Sequence, residues 1–238
     1  MIRDYVALDL ETTGLNPSKD RIIEIGMAKI NDGQVTAKYQ TLVNPVCTIS
    51  ERVRELTGID NSMVADSPVI NDIIGDILDF IGDLPILGHN IIFDYSFLKK
   101  AALNNNMTFE KDGIDTLKLA RRLLPEVPHK RLEDLCEYFH INPGNSHRAF
   151  DDAISASCLF NELYKLKPQD EGFVNTQKLI YSIKKDTPIT AAQKSYLTSL
   201  VKYHKIKLDE PVEGMTKSSA SRIIDGIISE YGKLPYKR

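Results

Sequence analysis

Two carboxylates one residue apart, Asp9 and Glu11, close an apolar run in Tyr5-Val6-Ala7-Leu8-Asp9-Leu10-Glu11-Thr12-Thr13-Gly14-Leu15. If Tyr5 to Glu11 is extended, the two-residue period of a strand puts both acids on one face. Like charges side by side on a mostly buried strand are costly unless a cation neutralises them. Hard divalent ions, magnesium above all, take carboxylate oxygens. A lone D-x-E also suits a solvated strand end, so its weight comes from the rest of the chain. In Gly88-His89-Asn90-Ile91-Ile92-Phe93-Asp94, the last residue enters the first turn of a helix, where it would also favour the helix dipole. In Asn145-Ser146-His147-Arg148-Ala149-Phe150-Asp151-Asp152-Ala153, His147 and Asp152 would lie about 140° apart on one continuous helix. They converge only if His147 sits on the loop before the helix and Asp152 in its opening turns. Asn142-Pro143-Gly144-Asn145 supplies such a loop. Of Asp151 and Asp152 only one can face a site, because neighbours on a helix diverge by about 100°.

The elements that must position these groups follow from hydrophobic period and turn signals. Asp4 to Leu10 reads as a central strand, and Ile22 to Ile30 and Val35 to Val43 as the next two, with Asn31-Asp32-Gly33 as a tight connection. These three form an antiparallel meander. Ser50 caps a short helix closed by Thr57-Gly58-Ile59, and Ser67-Pro68 starts the next, with apolar residues at helical spacing from Val69 to Ile81. Leu84 to His89 is a short apolar strand leading to a helix near Phe93. Gly113-Ile114-Asp115 is another, running into a helix over Leu117 to Leu124. Arg131 to Phe139 and Arg148 to Leu166 are further helices. Strands first, then strands alternating with helices, predict an α/β fold with helices packed on a mixed sheet.

Lys167-Pro168-Gln169-Asp170-Glu171-Gly172 breaks this pattern. The expected organisation is one domain over 1–168, a linker over 169–187 and a small basic helical module over 188–238. With 238 residues and 42 % hydrophobic content the chain can bury a full core. Cys47, Cys136 and Cys158 are odd in number and widely spaced, which points to a reducing compartment and away from structural zinc. No stretch approaches the roughly 18 apolar residues of a membrane span, and a charge precedes any long apolar run at the start. The expectation is a soluble, cytoplasmic protein with no membrane partner. The net charge of −3 hides an asymmetry: from Thr176 onward 12 Lys and Arg face 6 Asp and Glu, whereas the preceding part carries a net −9. That division suits metal chemistry in front and polyanion attraction behind.

Taken together, Asp9-x-Glu11-Thr12-Thr13-Gly14, His89-Asn90-x-x-Phe93-Asp94 and His147-x-Ala149-x-x-Asp152-Ala153 closely resemble the DnaQ-like 3′→5′ exonucleases of the DEDDh type, a family that includes the proofreading subunit of bacterial DNA polymerase III. Leu56-Thr57-Gly58-Ile59 and Leu132-x-x-Leu135-Cys136 fit the same pattern, so the resemblance covers roughly Asp4 to Leu166. The tyrosine variant of the family has Tyr four residues before the last Asp, and position 148 here is Arg. His147 fits the histidine type and selects Asp152 over Asp151. The resemblance implies an RNase H-like fold with a five-stranded mixed sheet flanked by helices. It implies that Asp9, Glu11, Asp94 and Asp152 hold two divalent cations, Mg2+ with Mn2+ substituting, and that His147 is the general base. Two metals serving the attacking and leaving oxygens suit phosphodiester hydrolysis, and a histidine can take a proton from water near neutral pH. Thr12, Thr13, Gly14 and Leu15 would hold the terminal nucleotide, with a core role as the alternative for Leu15, and Asn90 would either hydrogen-bond substrate or only fix its turn. The implied substrate is the 3′ end of single-stranded or frayed DNA, with RNA as the alternative, and a polymerase or replication protein as partner. A non-catalytic nucleic-acid-binding adaptor would have lost one of the four carboxylates or the histidine, and all five are present.

Other charged positions have plainer readings. Asp115 suits the N-cap of the following helix better than a fifth ligand. Phe93 suits the core, and Lys99-Lys100 and Arg121-Arg122 suit solvated helix faces. The elements Thr190-x-x-Gln193-x-x-x-Leu197-x-x-Leu200 and Met215-Thr216-Lys217-x-x-Ala220-Ser221-x-x-Ile224 resemble a small helical module appended to various bacterial and phage proteins. Its positive balance fits phosphate attraction, and base stacking is not expected of it.

Overall fold

The computed structural model describes residues 1–144, 147–208 and 211–234. Asn145 and Ser146 of the expected loop and the basic end from residue 235 therefore lie outside the described residues. Three strands open the chain: β1 (Tyr5–Thr12), β2 (Ile22–Asn31) and β3 (Gln34–Leu42). Helices α1 (Glu51–Thr57), α2 (Asn61–Val64) and α3 (Ile70–Ile81) follow, then β4 (Ile86–Gly88), α4 (Ile92–Asn104), β5 (Asp112–Asp115), α5 (Thr116–Leu123), α6 (Leu132–Phe139) and α7 (Ala149–Leu166). A two-residue strand β6 (Gln177–Lys178) and helices α8 (Ala191–His204) and α9 (Lys217–Tyr231) complete the order.

The sheet order is β3-β2-β1-β4-β5-β6. β1 pairs antiparallel with β2 and parallel with β4, β4 pairs parallel with β5, and β5 pairs antiparallel with β6. The mixed sheet is as expected, but it has six strands instead of five. The extra strand arises in the expected linker, which offers only two residues to pair, too few for a periodic signal. The same stretch packs inward: Phe173 and Leu179 are buried in the sheet's two apolar layers.

Strand alternation sorts the core into those layers. Val6, Leu8 and Leu10 of β1 point to one side, with Ile74, Ile77 and Ile81 of α3 and Tyr95 and Leu98 of α4. Tyr5 and Ala7 point to the other, with Leu119 of α5, Leu135 of α6 and Ala153, Leu159 and Phe160 of α7. Asp9 and Glu11 continue the row of Tyr5 and Ala7, so their side chains emerge on the α7 side. The first turn of α7 comes unusually near the sheet at Gly26 of β2, the partner of Asp9 across the ladder. A Cβ on Gly26 would stand 2.1 Å from the Phe150 nitrogen and 2.2 Å from the Ala149 carbonyl carbon. Glycine here is a spacing device for the helix that carries Asp152.

Local capping follows the sequence closely. Ser50 caps α1 by accepting from the Val53 amide, and Gly58 closes it in the left-handed conformation at φ 71°. Asp115 caps α5 through the amides of Leu117 and Lys118 at 3.0 and 3.3 Å. Lys100 departs from its expected solvated face: it is buried, donating to Asp186 at 2.7 Å and to the Lys184 carbonyl. Helices α8 and α9 form a separate apolar cluster around Leu197, Leu200, Met215, Ile224 and Ile227. On its surface Tyr196, Tyr203 and Tyr231 are substantially exposed, so aromatic rings accompany the lysines there, contrary to the expectation from the sequence.

Because α7 rests on backbone at residue 26, Gly26→Ala is expected to destabilise the protein by at least about 2 kcal/mol, an overpacking cost the helix backbone cannot relieve by a rotamer change. Urea unfolding against the wild type measures it, and an unchanged midpoint would contradict this packing.

Candidate active site

The carboxyl-terminal end of β1 is where both layers reach the sheet. Asp9 and Glu11 stand there half-buried on the α7 side. Asp94 arrives from the opposite layer: it is buried in the first turn of α4, and its Oδ1 accepts the Leu10 amide at 3.1 Å. β4 stops at Gly88, so the Leu10 amide lies beyond the short parallel ladder and is taken by a side chain instead. Asp152 lies in the first turn of α7, and its Oδ2 accepts the His147 amide at 2.9 Å. His147 sits before the helix with φ 63°, the left-handed conformation that turns the chain back toward Asp152. One ligand atom each of Glu11, His147 and Asp152 lie within 4.8 Å of one another.

Two residues the sequence reading did not single out hold this arrangement. Glu24 on β2, paired with Glu11 across the ladder, is fully buried under the site. The Arg148 guanidinium caps it through Nε at 3.1 and 3.2 Å and Nη2 at 2.8 Å, and the Ala149 amide donates to it at 3.2 Å. The signal was a lone acid inside the apolar run Ile22-Ile23-Glu24-Ile25, which only a buried partner could make tolerable. Glu133 of α6 lies 3.1 Å from His147 Nε2 and restrains the ring.

The remaining expected site residues fall on two loops. Thr12 Oγ1 donates to the Gly14 carbonyl at 2.7 Å, and the Thr13 amide donates to the Arg21 carbonyl at 2.8 Å. Leu15 is 84 % exposed, which rules out a core role and leaves an apolar side chain presented to solvent on the loop that follows the carboxylate strand. Asn90 is exposed at φ 71° with its amide held by Asp115 Oδ1 at 3.1 Å. His89 is committed to structure: Nε2 donates to the Lys130 carbonyl at 2.7 Å and Nδ1 lies 2.9 Å from Thr116 Oγ1. Phe93 packs on Phe97 at the core margin, as expected.

Electrostatics bear on what the acids are for. Burial, with Asp94, Glu11 and Asp152 close by, pushes the Asp9 carboxyl well above its ordinary range. Burial, together with Asp152, Glu24 and Asp94, pushes Glu11 up to about 8. Asp94 is also raised by burial, against the pull of its own and the Leu10 amides. Asp152 is raised by burial to about 6, less because the His147 amide and side chain favour its charged form. Four carboxyl groups drawn from both layers and unable to ionise together fit hard divalent cations, and their donor set is all oxygen.

The exonuclease family model, RNase_T, matches residues 6–160, which include every residue described at the site. The chain belongs to the exonuclease family. It is 33 % identical over 157 residues to the DNA polymerase III subunit epsilon of Aquifex aeolicus, covering 66 % of this chain and 78 % of that one. It is 36 % identical over 176 residues to the PolC-type DNA polymerase III of Caldanaerobacter subterraneus subsp. tengcongensis, covering 74 % of this chain but only 12 % of that protein. Among solved structures, exonuclease X in complex with 5′-overhanging duplex DNA matches with TM-score 0.57 and 28 % identity over 69 % of this chain and 93 % of that one. Escherichia coli exonuclease I in complex with a dA16 oligonucleotide matches with TM-score 0.62 over 71 % of this chain and 42 % of that one, at 19 % identity, which speaks for the fold alone. The DnaQ-like resemblance read from the motifs is thus borne out, and no described helix is long and apolar enough to cross a membrane.

The raised carboxyls make metal-free stability pH-dependent. Unfolded Asp and Glu titrate near 4, whereas folded Glu11 titrates at about 8, so the folded state holds more protons in between. This contribution is full below the unfolded value and is lost as pH rises through about 8. In chelator, Glu11→Gln is expected to lose less thermal stability than the wild type between acidic and mildly alkaline pH, and Mg2+ to narrow the difference. Parallel melting curves for the two proteins would contradict this.

Proposed function

We propose that the protein hydrolyses phosphodiester bonds from the 3′ end of single-stranded or frayed DNA, releasing nucleotides one at a time. The observation that carries this reading is the convergence of Asp9, Glu11, Asp94 and Asp152 with His147 at the end of β1 in a chain of the exonuclease family. Two Mg2+ ions, with Mn2+ able to substitute, would be held by those four carboxylates and would supply charge neutralisation for the attacked phosphate and the leaving 3′-oxygen. His147 takes the proton of the attacking water as general base, its ring restrained by Glu133 and its backbone by Asp152. Thr12, Thr13, Gly14 and Leu15 receive the terminal nucleotide, the exposed Leu15 side chain meeting its base and the exposed Asn90 donating to the substrate. DNA is favoured over RNA because relatives are named DNA polymerase III and the similar exonuclease X is in complex with DNA. Those same names support a polymerase as working partner.

Digestion of 5′-labelled single-stranded DNA and its RNA counterpart tests this reading. A ladder shortening from the 3′ end in Mg2+, faster on DNA and abolished by Asp9→Ala or chelator, is expected. His147→Ala should lower the rate by about 10²- to 10⁴-fold with little change in DNA binding. Binding of both strands by folded wild-type protein without cleavage would overturn the reading in favour of an adaptor.

A further inference from the structure

The loop that follows Thr12–Leu15 turns its other side to the C-terminal helices, and the two enclose a cleft of ≈ 480 Å³. Its acids and its cations are unequally matched. Asp186 is paired with Lys100 at 2.7 Å and with Asn104 at 3.0 Å, Glu213 with Lys194 at 2.8 Å, and Asp20 accepts the Asn16 amide at 2.8 Å. Arg222 of α9 donates to the Lys19 carbonyl at 2.9 Å, and Arg21 to the carbonyls of Lys19 and Asp20 at 3.4 and 3.1 Å. Neither guanidinium has a carboxylate partner among the described residues. Both act on the Cys47 thiol beside the cleft, Arg222 through a hydrogen bond, and the Asp20 carboxylate acts there in the opposite sense, so that corner of the lining holds two guanidinium charges against one carboxylate.

We propose that this cleft takes the sugar-phosphate backbone of the strand whose 3′ end lies at the carboxylates, with Arg21 and Arg222 as its phosphate contacts. The proposal rests on the exonuclease reading and extends it beyond the terminal nucleotide. Continuity with the site is built into the loop. The Thr13 amide donates to the Arg21 carbonyl at 2.8 Å and the Arg21 amide to Thr13 Oγ1 at 2.9 Å, so the nucleotide-holding end and the cationic end are tied together. The helical unit is fixed in register with them. Asp186, held by Lys100 and Asn104 of α4, anchors the chain leading to α8 on the same helix that carries Asp94. The Ile189 amide then donates to the Met215 carbonyl at 2.9 Å and the Lys217 amide to the Thr187 carbonyl at 2.7 Å, seating the start of α9 against that anchored segment. Planar guanidinium groups that form no ion pair suit phosphate oxygens, and their charge adds salt-dependent attraction without reading sequence.

The test compares a substrate too small to reach the cleft, the p-nitrophenyl ester of thymidine 5′-monophosphate, with single-stranded DNA of about 20 nucleotides, longer than the usual span of a single binding groove. Arg222→Gln is expected to raise KM for the oligonucleotide roughly 3- to 5-fold, and Arg222→Glu further. Both should leave kcat and KM for the ester unchanged. The slope of log KM against log salt should fall by about 0.7 for the contact removed, and Arg222→Lys should retain most of the wild-type slope. Ester hydrolysis at the wild-type rate certifies that each variant is folded. If oligonucleotide KM and salt slope match the wild type in Arg222→Glu, the cleft does not carry the strand, and the exonuclease reading stands. Failure of the wild type on both substrates would remove that reading and this proposal together.

Discussion

Carboxylate crowding at the end of β1 is the constraint on which the rest of the structure depends. Asp9, Glu11, Asp94 and Asp152 cannot all be charged in a partly dry site without a cation, and their raised titration follows from that. Glu24 would add a fifth charge directly beneath them. The fold removes it from the account by committing Arg148 to it, with three contacts of 3.2 Å or less. The four remaining acids are the ones proposed to take cations, while the one below is neutralised by the protein. Removing Arg148 would strand a buried carboxylate, and the loss would be felt at the site above as well as in stability.

Position in the sheet makes this crowding attainable. β1 is central, flanked by an antiparallel partner on one side and a short parallel one on the other. Helices on both faces can therefore bring an acid to its end, Asp94 over the truncated β4 and Asp152 over the gap left by Gly26. Small residues line that approach: Ala7, Gly26 and Ala28 on the strands and Ala149, Ala153 and Ala156 on α7, all buried. An added methyl at the closest point would lift the helix and Asp152 with it.

Much of this was legible before any coordinates. The two-residue period of Tyr5 to Glu11 placed both acids on one face because strand alternation is a strict geometric rule, and the structure extends that row from Tyr5 and Ala7. The roughly 140° separation on a helix forced His147 out onto the preceding loop, where its φ of 63° now places it. What stayed hidden depended on contacts between distant segments. Glu24 and Arg148 are 124 residues apart, and no local pattern announces their pairing. Lys100 read as a solvated lysine because its partner Asp186 lies 86 residues on, and β6 was too short to leave a period.

The central claim is that these acids are kept partly protonated until divalent cations replace the protons. Calorimetric titration of the metal-free protein with Mg2+ or Mn2+ at neutral pH, repeated in buffers of different ionisation enthalpy, measures ions bound and protons released together. Two ions per chain with net proton release, reduced in Glu11→Gln, are the expected result. Binding with no proton release, or no binding by folded protein, would contradict it.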